Sequence, residues 1–203
     1  MPTLPPPSAF AAHLASIAEE EFNQFHNFVE TDPPLSHRIQ HYYATLGFTF
    51  TSVSSVPWSA VFVSFCVKEA GATSQEFEFA MAHSVFVHKA IQNASHNTGV
   101  FRGVPLGVGA VRVGDILQNN RGGNHFDFAF AANHVNYLSH SAIVVSRDED
   151  ANGKFAMVIG GNESNSIRSV KVRLHPDGTV VQTGGVVVQP SHDPYICLIK
   201  NLK

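Results

Sequence analysis

Residues 57–71 constrain the fold of this chain more than any other stretch. Their sequence is Pro-Trp-Ser-Ala-Val-Phe-Val-Ser-Phe-Cys-Val-Lys-Glu-Ala-Gly. Pro57 is typical of a helix start and Gly71 of a helix end. A helix that is apolar almost all the way round must be buried. We therefore expect this helix at the centre of the core, with the hydroxyl of Ser59 in its first turn.

Composition indicates a globular chain with a well-formed core. The chain has 203 residues, of which 44% are hydrophobic and only 14% are charged. Residues 1–7 are rich in proline and are expected to form a loose N-terminal segment. Because we find no repeat and no interdomain linker, we expect residues 8–203 to form a single domain.

Charge and hydropathy exclude several classes of partner. The net charge is −3 and there is no basic run, so nucleic-acid binding is not expected. No apolar stretch reaches the roughly 18 residues needed to span a bilayer. The first residues lack the basic-then-apolar plan of a secretory signal. These features predict a protein that is cytoplasmic, or exported without a cleaved signal peptide.

The order of the predicted elements indicates an α+β domain with N-terminal helices packed on a small antiparallel sheet. Helical periodicity predicts helices over 9–27, 35–46, 58–70 and 77–94. Short β-rich runs follow at 111–118, 141–146, 155–159, 167–174, 180–188 and 195–199. Pro176-Asp177-Gly178 predicts a hairpin. Residues 119–137, rich in Gly, Asn and aromatic residues, predict a long loop that is either a lid or an insertion.

The central helix resembles that of the NlpC/P60 cell-wall peptidases, in which Asp-Cys-Ser-Gly-Phe-Val precedes an apolar run. Laid on that pattern, Ser59 takes the place of the cysteine and Trp58 that of the aspartate. The family pattern continues with a Gly-Asp turn, found here at Gly114-Asp115, and with a histidine that opens the next strand, found here in Ser139-His140-Ser141. Asn162 follows a third predicted strand.

A wider set of motifs resembles the bacterial DUF2272 family over roughly residues 10–200. The motifs are Ala18-Glu19-Glu20, Arg38-Ile39, Tyr42-Tyr43, Pro57-Trp58-Ser59-Ala60, Ala82-His83-Ser84 and Ile159-Gly160-Gly161-Asn162. That family looks like a branch of the NlpC/P60 and CHAP papain-like superfamily. The resemblance implies a papain-like fold.

The resemblance also implies nucleophilic acyl transfer. Ser59 would attack a carbonyl carbon, His140 would act as general base, and Asn162 would orient the imidazole. Trp58, His83 and Ser141 would contact the substrate. A serine hydroxyl is far less acidic than a thiol, so Ser59 would depend wholly on its base, and ester cleavage would suit it better than amide cleavage.

Structural roles remain open for the same residues. Ser59 could be an N-terminal capping-type serine, His140 a structural histidine at a strand start, and Asn162 a turn residue. His83 could be a satisfied core histidine. Cys66 is an alternative nucleophile, but it lies deep in the apolar helix, where thiolate formation is disfavoured.

Two classes of function follow. The first is a hydrolase of an amide or ester bond, with peptidoglycan peptides as the substrate class that the resemblance implies. The second is a catalytically silent module that binds a peptide, glycan or protein in the same cleft. An exported toxin-like hydrolase, which an inhibitor or immunity protein would accompany, is a third reading. His37 and His41 have zinc-type spacing, but no further ligands complete a set, so no metal or cofactor is predicted.

Overall fold

The computed structural model describes residues 5–53, 55, 57–183, 186–187 and 193–203. Five helices are present in this part of the chain: α1 (Ala9–Phe25), α2 (Pro33–Leu46), α3 (Ser59–Glu69), α4 (His83–Ser95) and α5 (Phe128–Asn133). The strands are β1 (Phe101–Val104), β2 (Ile116–Asn120), β3 (Ser139–Asp150), β4 (Gly153–Glu163), β5 (Ser166–Arg173), β6 (Gln182–Thr183), β7 (Val186–Val187) and β8 (Tyr195–Asn201). The predicted α+β class is confirmed.

Six strands form one antiparallel sheet in the order β1-β8-β2-β3-β4-β5. Strands β6 and β7 pair separately. The long hairpin of β3 and β4 lies at the centre of the fold and brings the start of β3 beside the end of β4. Strand β2 pairs with β3 so that its last residue, Asn120, lies opposite Ser139. The end of β2, the start of β3 and the end of β4 therefore lie side by side at one end of the sheet.

Local signals explain where the first helices begin and end. The Ser8 side chain caps α1 by accepting a hydrogen bond from the Ala11 amide. Proline residues open α2, and Gly47, in the left-handed conformation, ends it. Helix α3 is buried over residues 59–67, as its all-round apolar sequence predicts.

Some boundaries differ from those that the sequence predicts. Helix α4 begins at His83 instead of residue 77, because residues 74–77 form a turn and residues 78–82 are irregular up to a bend. The strand predicted over 111–118 begins at Ile116, after a turn in which Gly114 has a positive φ. Strand β1 and helix α5 were not predicted. The strand predicted over 180–188 lies partly outside the described residues.

Hydrophobic clusters cover both faces of the sheet. On β3, Ile143 and Val145 belong to the larger cluster, which includes α1 to α4, whereas Ala142 and Val144 belong to the second. This alternation is that of a strand buried on both faces. Helix α3 packs against β3 and β4 on the larger side. In the described part of the chain, no helix is both long and apolar enough to cross a membrane.

Candidate functional site

Ser59 is the first residue of α3, and its hydroxyl faces a histidine. The N-cap position is held by Trp58, whose side chain makes no capping hydrogen bond. The Ser59 Oγ lies 2.7 Å from Nε2 of His83. The serine is only 2% exposed, yet it lines an open cavity. Its hydroxyl therefore partners an imidazole instead of capping the helix.

His83 is held in place by burial at the start of α4. Its ring packs edge-on against Phe86, with ring centroids 5.5 Å apart. Burial lowers the pKa of His83 well below its ordinary value of 6.5, and the charges of His140 and Arg121 lower it further. Its Nδ1 atom is buried and has no hydrogen-bond partner among the described residues. Burial and neighbouring charge therefore favour the neutral form of this imidazole.

Arg121 joins the serine to the end of β4. Its Nη1 donates to the Ser59 Oγ at 3.4 Å, and its Nη2 donates to the Asn162 carbonyl oxygen at 3.2 Å. Asn162 has a φ of 57°, at a register shift in the pairing of β4 with β5. Such a bulge re-aims the residues that follow it.

Asn120 fixes the turn that carries Arg121. Its side-chain oxygen accepts from the amide of Phe126, and its amide nitrogen donates to the carbonyl oxygens of Phe126 and Pro194. Gly122 and Gly123, which follow Arg121, both have positive φ values, a conformation that glycine adopts without strain. The start of the segment 119–137 is therefore an ordered turn, and the segment also contains α5.

An open cavity of about 500 Å³ lies over the serine. It is lined by Glu30, Val53, Ser55, Pro57, Ser59, Met81, Ala82, His83, Arg121, Tyr137, Leu138, Ser139, Asn162 and Asn165. Met81 and Leu138 are 39% and 55% exposed and give the rim an apolar character. A hydroxyl, an imidazole and a guanidinium thus meet in one cleft that a small ligand can fill.

His140 lies elsewhere. Its Nε2 is 2.9 Å from Oε1 of Glu163, and the two residues line a small separate cavity of about 20 Å³ with residues of the second cluster such as Ala142. Its ring centroid is 5.2 Å from that of His83, with the rings edge to face. The structure therefore brings Ser59, His83 and Asn162 to one cavity. It places His140 outside that cavity, with its ring against that of His83.

Gly160 and Gly161 allow β4 to approach these groups closely. A Cβ atom on Gly160 would lie 2.7 Å from Nε2 of His140 and 2.5 Å from Oε1 of Glu163. A Cβ atom on Gly161 would lie 2.6 Å from the ring of Trp58 and 2.7 Å from Cβ of Phe62. The glycine pair thus lets α3 and the His140–Glu163 pair pack on opposite faces of one strand.

The remaining candidates lie in the core. Trp58 is fully buried, and its indole N–H donates to Glu30 at 2.8 Å. The hydroxyl of Ser141 is buried and has no partner in the described ranges, and the neighbouring Ser139 lines the cavity. Burial raises the pKa of the thiols of both Cys66 and Cys197, which disfavours a thiolate nucleophile.

Sequence reasoning missed two residues of this site. Arg121 lies in the segment 119–137, which the sequence predicts as a long loop, although its position one residue beyond β2 puts it at the end of the sheet where β3 begins. Glu163 follows the proposed Asn162 directly, and only the bulge aims its carboxylate at His140. Within the described ranges, no three His, Cys, Asp or Glu side chains are grouped as metal ligands would be.

A family model matches most of the chain. The model of a family described as an uncharacterized protein conserved in bacteria, DUF2272, matches residues 37–200. No curated protein and no solved structure matches the chain. The matched range runs from α2 to β8 and contains Ser59, His83, Arg121, His140 and Glu163. The chain therefore belongs to the DUF2272 family.

Proposed function

We propose that this protein is a hydrolase that cleaves an amide or ester bond, with Ser59 as its nucleophile. The observation that carries the proposal is the 2.7 Å contact between the Ser59 Oγ and Nε2 of His83 at the wall of an open cavity. A hydroxyl within hydrogen-bond reach of a neutral imidazole is the arrangement that nucleophilic acyl transfer requires.

His83 is the proposed base because it contacts the hydroxyl directly. With its proton on Nδ1, the imidazole accepts at Nε2 and takes the Ser59 proton as the oxygen bonds to the substrate carbonyl carbon. His83 then gives that proton to the leaving group, which departs and leaves an acyl-serine. Water hydrolyses this ester by the same steps, with His83 again as base.

The start of α3 supplies hydrogen-bond donors for the developing oxyanion. The first intrahelical bond runs from the Phe62 amide to the Trp58 carbonyl oxygen at 2.9 Å, so the amides of Ser59, Ala60 and Val61 precede the helical ladder. The side chain of the N-cap residue, Trp58, makes no capping hydrogen bond to these amides. Backbone N–H groups and the positive end of the helix dipole both stabilise negative charge there.

The pair formed by His140 and Glu163 lies next to His83. A protonated His83 has Arg121 on the cavity side and His140 on the other. The carboxylate of Glu163, bonded to His140, is the negative group behind that imidazole. We therefore propose that His140 and Glu163 position the imidazole of His83, whereas the sequence predicted His140 as the base.

Turnover of an activated ester and digestion of peptidoglycan test the hydrolase proposal. Ser59→Ala is expected to abolish turnover, and His83→Ala to lower it by about 10²- to 10⁴-fold, the usual contribution of a general base. Ser64→Ala is the matched control: Ser64 is a buried serine of α3 that bonds to Ala80 and does not line the cavity. Turnover that survives in Ser59→Ala would reject the proposal.

A binding module is the second candidate, and the surroundings of His83 favour it. This imidazole contacts no carboxylate in the described residues, and nearby positive charge opposes its protonation. A protein that binds muropeptides but lacks turnover would support this reading. Activity created by Ser59→Cys would then indicate a scaffold that the serine has silenced.

Peptidoglycan peptides are the proposed substrate class, and the likeness of the motifs to NlpC/P60 peptidases supports this choice. We propose that the protein acts either in the cytoplasm or at the cell wall. Toxicity confined to periplasmic expression, relieved by a co-expressed immunity protein, would support an exported toxin-like role. Equal toxicity in both compartments would contradict a wall target.

A further inference from the structure

Arg121 is the basic residue beside the nucleophile, and no acidic residue in the described part of the chain pairs with it. Among the described residues, its guanidinium bonds only to the Ser59 hydroxyl and the Asn162 carbonyl oxygen. A guanidinium has five N–H donors, so most of them remain for a ligand. Two other arginines, Arg38 and Arg173, each bind a carboxylate.

The acidic residue of the same cavity does not neutralise this charge. Glu30 lines the cavity, but its Oε2 accepts from the indole of Trp58 at 2.8 Å, and no ion pair joins it to Arg121 among the described residues. The field of Arg121 reaches His83, where it contributes to the lowered pKa. The cavity wall beside Ser59 therefore carries an unpaired positive charge.

The turn holds Arg121 ready for a ligand. Asn120 anchors the turn to Phe126 and Pro194, and the side chain of Asn124 donates to the Arg121 carbonyl oxygen at 2.9 Å. A guanidinium that is already positioned loses little entropy when it binds a planar carboxylate through two parallel hydrogen bonds. This arrangement favours a carboxylate over a neutral polar group.

We propose that Arg121 binds a carboxylate of the substrate next to the scissile bond. The inference rests on the proposed function. A charge-assisted bond of about 2.8 Å, added to the 3.4 Å between Nη1 and the Ser59 Oγ, puts the carboxylate within roughly 6 Å of the nucleophile. The attacked carbonyl lies about 3 Å from that nucleophile. The substrate is thus an acyl compound with a free carboxylate about three or four bonds from the scissile carbonyl.

The rim of the cavity suits the rest of such a substrate. Met81 and Leu138 are exposed at the cavity wall and offer an apolar surface. In a peptide whose scissile bond precedes its C-terminal residue, the α-carboxylate of that residue lies three bonds from the scissile carbonyl carbon, on the leaving-group side. A carboxylate at this distance occurs equally on the acyl side, as an aspartate-type side chain. Both sources present the same group to Arg121.

Binding to the Ser59→Ala protein tests the inference without requiring turnover. Hippuryl-phenylalanine and its C-terminal amide form the leaving-side pair, and the anilides of benzoyl-aspartate and benzoyl-asparagine form the acyl-side pair. Calorimetric titration is expected to give a Kd at least about tenfold lower for the carboxylate member of one pair. Arg121→Gln in the same background should bring that ratio near one, and Arg121→Lys should retain part of it.

Arg102→Gln is the matched control, because Arg102 is an arginine of β1 that bonds to Asn97 and does not line the cavity. It should leave the ratio unchanged. Should Ser59→Ala not fold, ketomethylene analogues of the same ligands, which have no cleavable bond, are titrated into wild-type protein. Equal affinities within both pairs, or a ratio that survives Arg121→Gln, would overturn the carboxylate site even if the protein hydrolyses esters. A wild-type protein that prefers the carboxylate ligands but shows no turnover would overturn only the proposed function.

Discussion

His83 shows how burial and charge set the chemistry of one residue. Its imidazole is held neutral by burial and by neighbouring positive charge, and the Ser59 hydroxyl lies at its Nε2. The neutral imidazole, which this environment favours, is the form that the proposed role as general base requires. The same environment should also make the stability of the fold depend on pH.

His83→Gln should reduce the loss of stability at low pH. The folded-state pKa of His83 lies below its unfolded value of about 6.5, so the unfolded state binds the proton first as the pH falls. Its contribution is present above that unfolded value and is lost as the pH falls toward the folded one. Below about pH 6, the free energy of unfolding should therefore fall less steeply in the variant than in wild type, by up to about 1.4 kcal/mol per pH unit.

Urea unfolding at several values between about pH 7.5 and pH 5 measures this difference. His125→Gln is the control, because His125 is exposed in the turn after β2. A pH dependence that is the same in His83→Gln and wild type would show that His83 is not held neutral by the fold.

At the scale of elements, the site depends on how closely β4 approaches α3. Gly161→Ala would place a methyl group 2.6 Å from the Trp58 ring and 2.7 Å from Cβ of Phe62. We expect a loss of about 1 to 3 kcal/mol in the free energy of unfolding, the usual cost of overpacking. Gly107→Ala, which meets nothing within 4 Å, should change stability by less than about 0.5 kcal/mol. Equal effects in chemical denaturation would contradict this packing.

The contact between α1 and α2 depends on a buried carboxylate. Glu21 is 3% exposed and bonds to Arg38 and, at 2.6 Å, to the hydroxyl of Tyr42. Glu21→Ala would leave both partners without their acceptor. We expect it to lower the free energy of unfolding by about 3 kcal/mol. A larger loss is not expected, because the side chain of Arg38 is 30% exposed and remains partly solvated. Exposed Glu20→Ala, the control, should cost at most about 1 kcal/mol. Similar urea midpoints for the two variants would contradict this role.

For the whole molecule, the two hydrophobic clusters share the strands of one sheet, so they should unfold together. Trp58, the single tryptophan, is fully buried in the larger cluster and reports on it by fluorescence. We expect its unfolding transition to coincide with that of circular dichroism, which follows the helices and strands. Two separate transitions would contradict the single domain that the sequence predicts for residues 8–203.

Sequence patterns predicted the parts of this molecule that local physics controls. The burial of α3 follows from its all-round apolar sequence, and the helix-then-strand order gave the α+β class. The contacts within the candidate site were harder to predict from the sequence, because tertiary packing decides which side chains meet. Periodicity could not show that α4 begins at His83 and so aims its imidazole at Ser59.

Strand geometry accounts for the rest of the difference. Side chains alternate along a strand, so His140 falls on the face of Ala142 and Val144, away from α3. The bulge at Asn162 then supplies Glu163, rather than Asn162, as the partner of His140. The segment 119–137, predicted as a long loop, contributes Arg121 through a turn fixed by a long-range contact of Asn120 with Pro194.

Covalent labelling tests the central claim, that Ser59 is a nucleophile activated by His83, most directly. The wild-type protein is treated with a reactive fluorophosphonate, which traps activated serines, and the modified peptide is identified by mass spectrometry. We expect one adduct on Ser59, labelled at least about 10²-fold more slowly in His83→Ala and normally in Ser64→Ala. Failure to label Ser59, or labelling at the same rate without His83, would contradict the account.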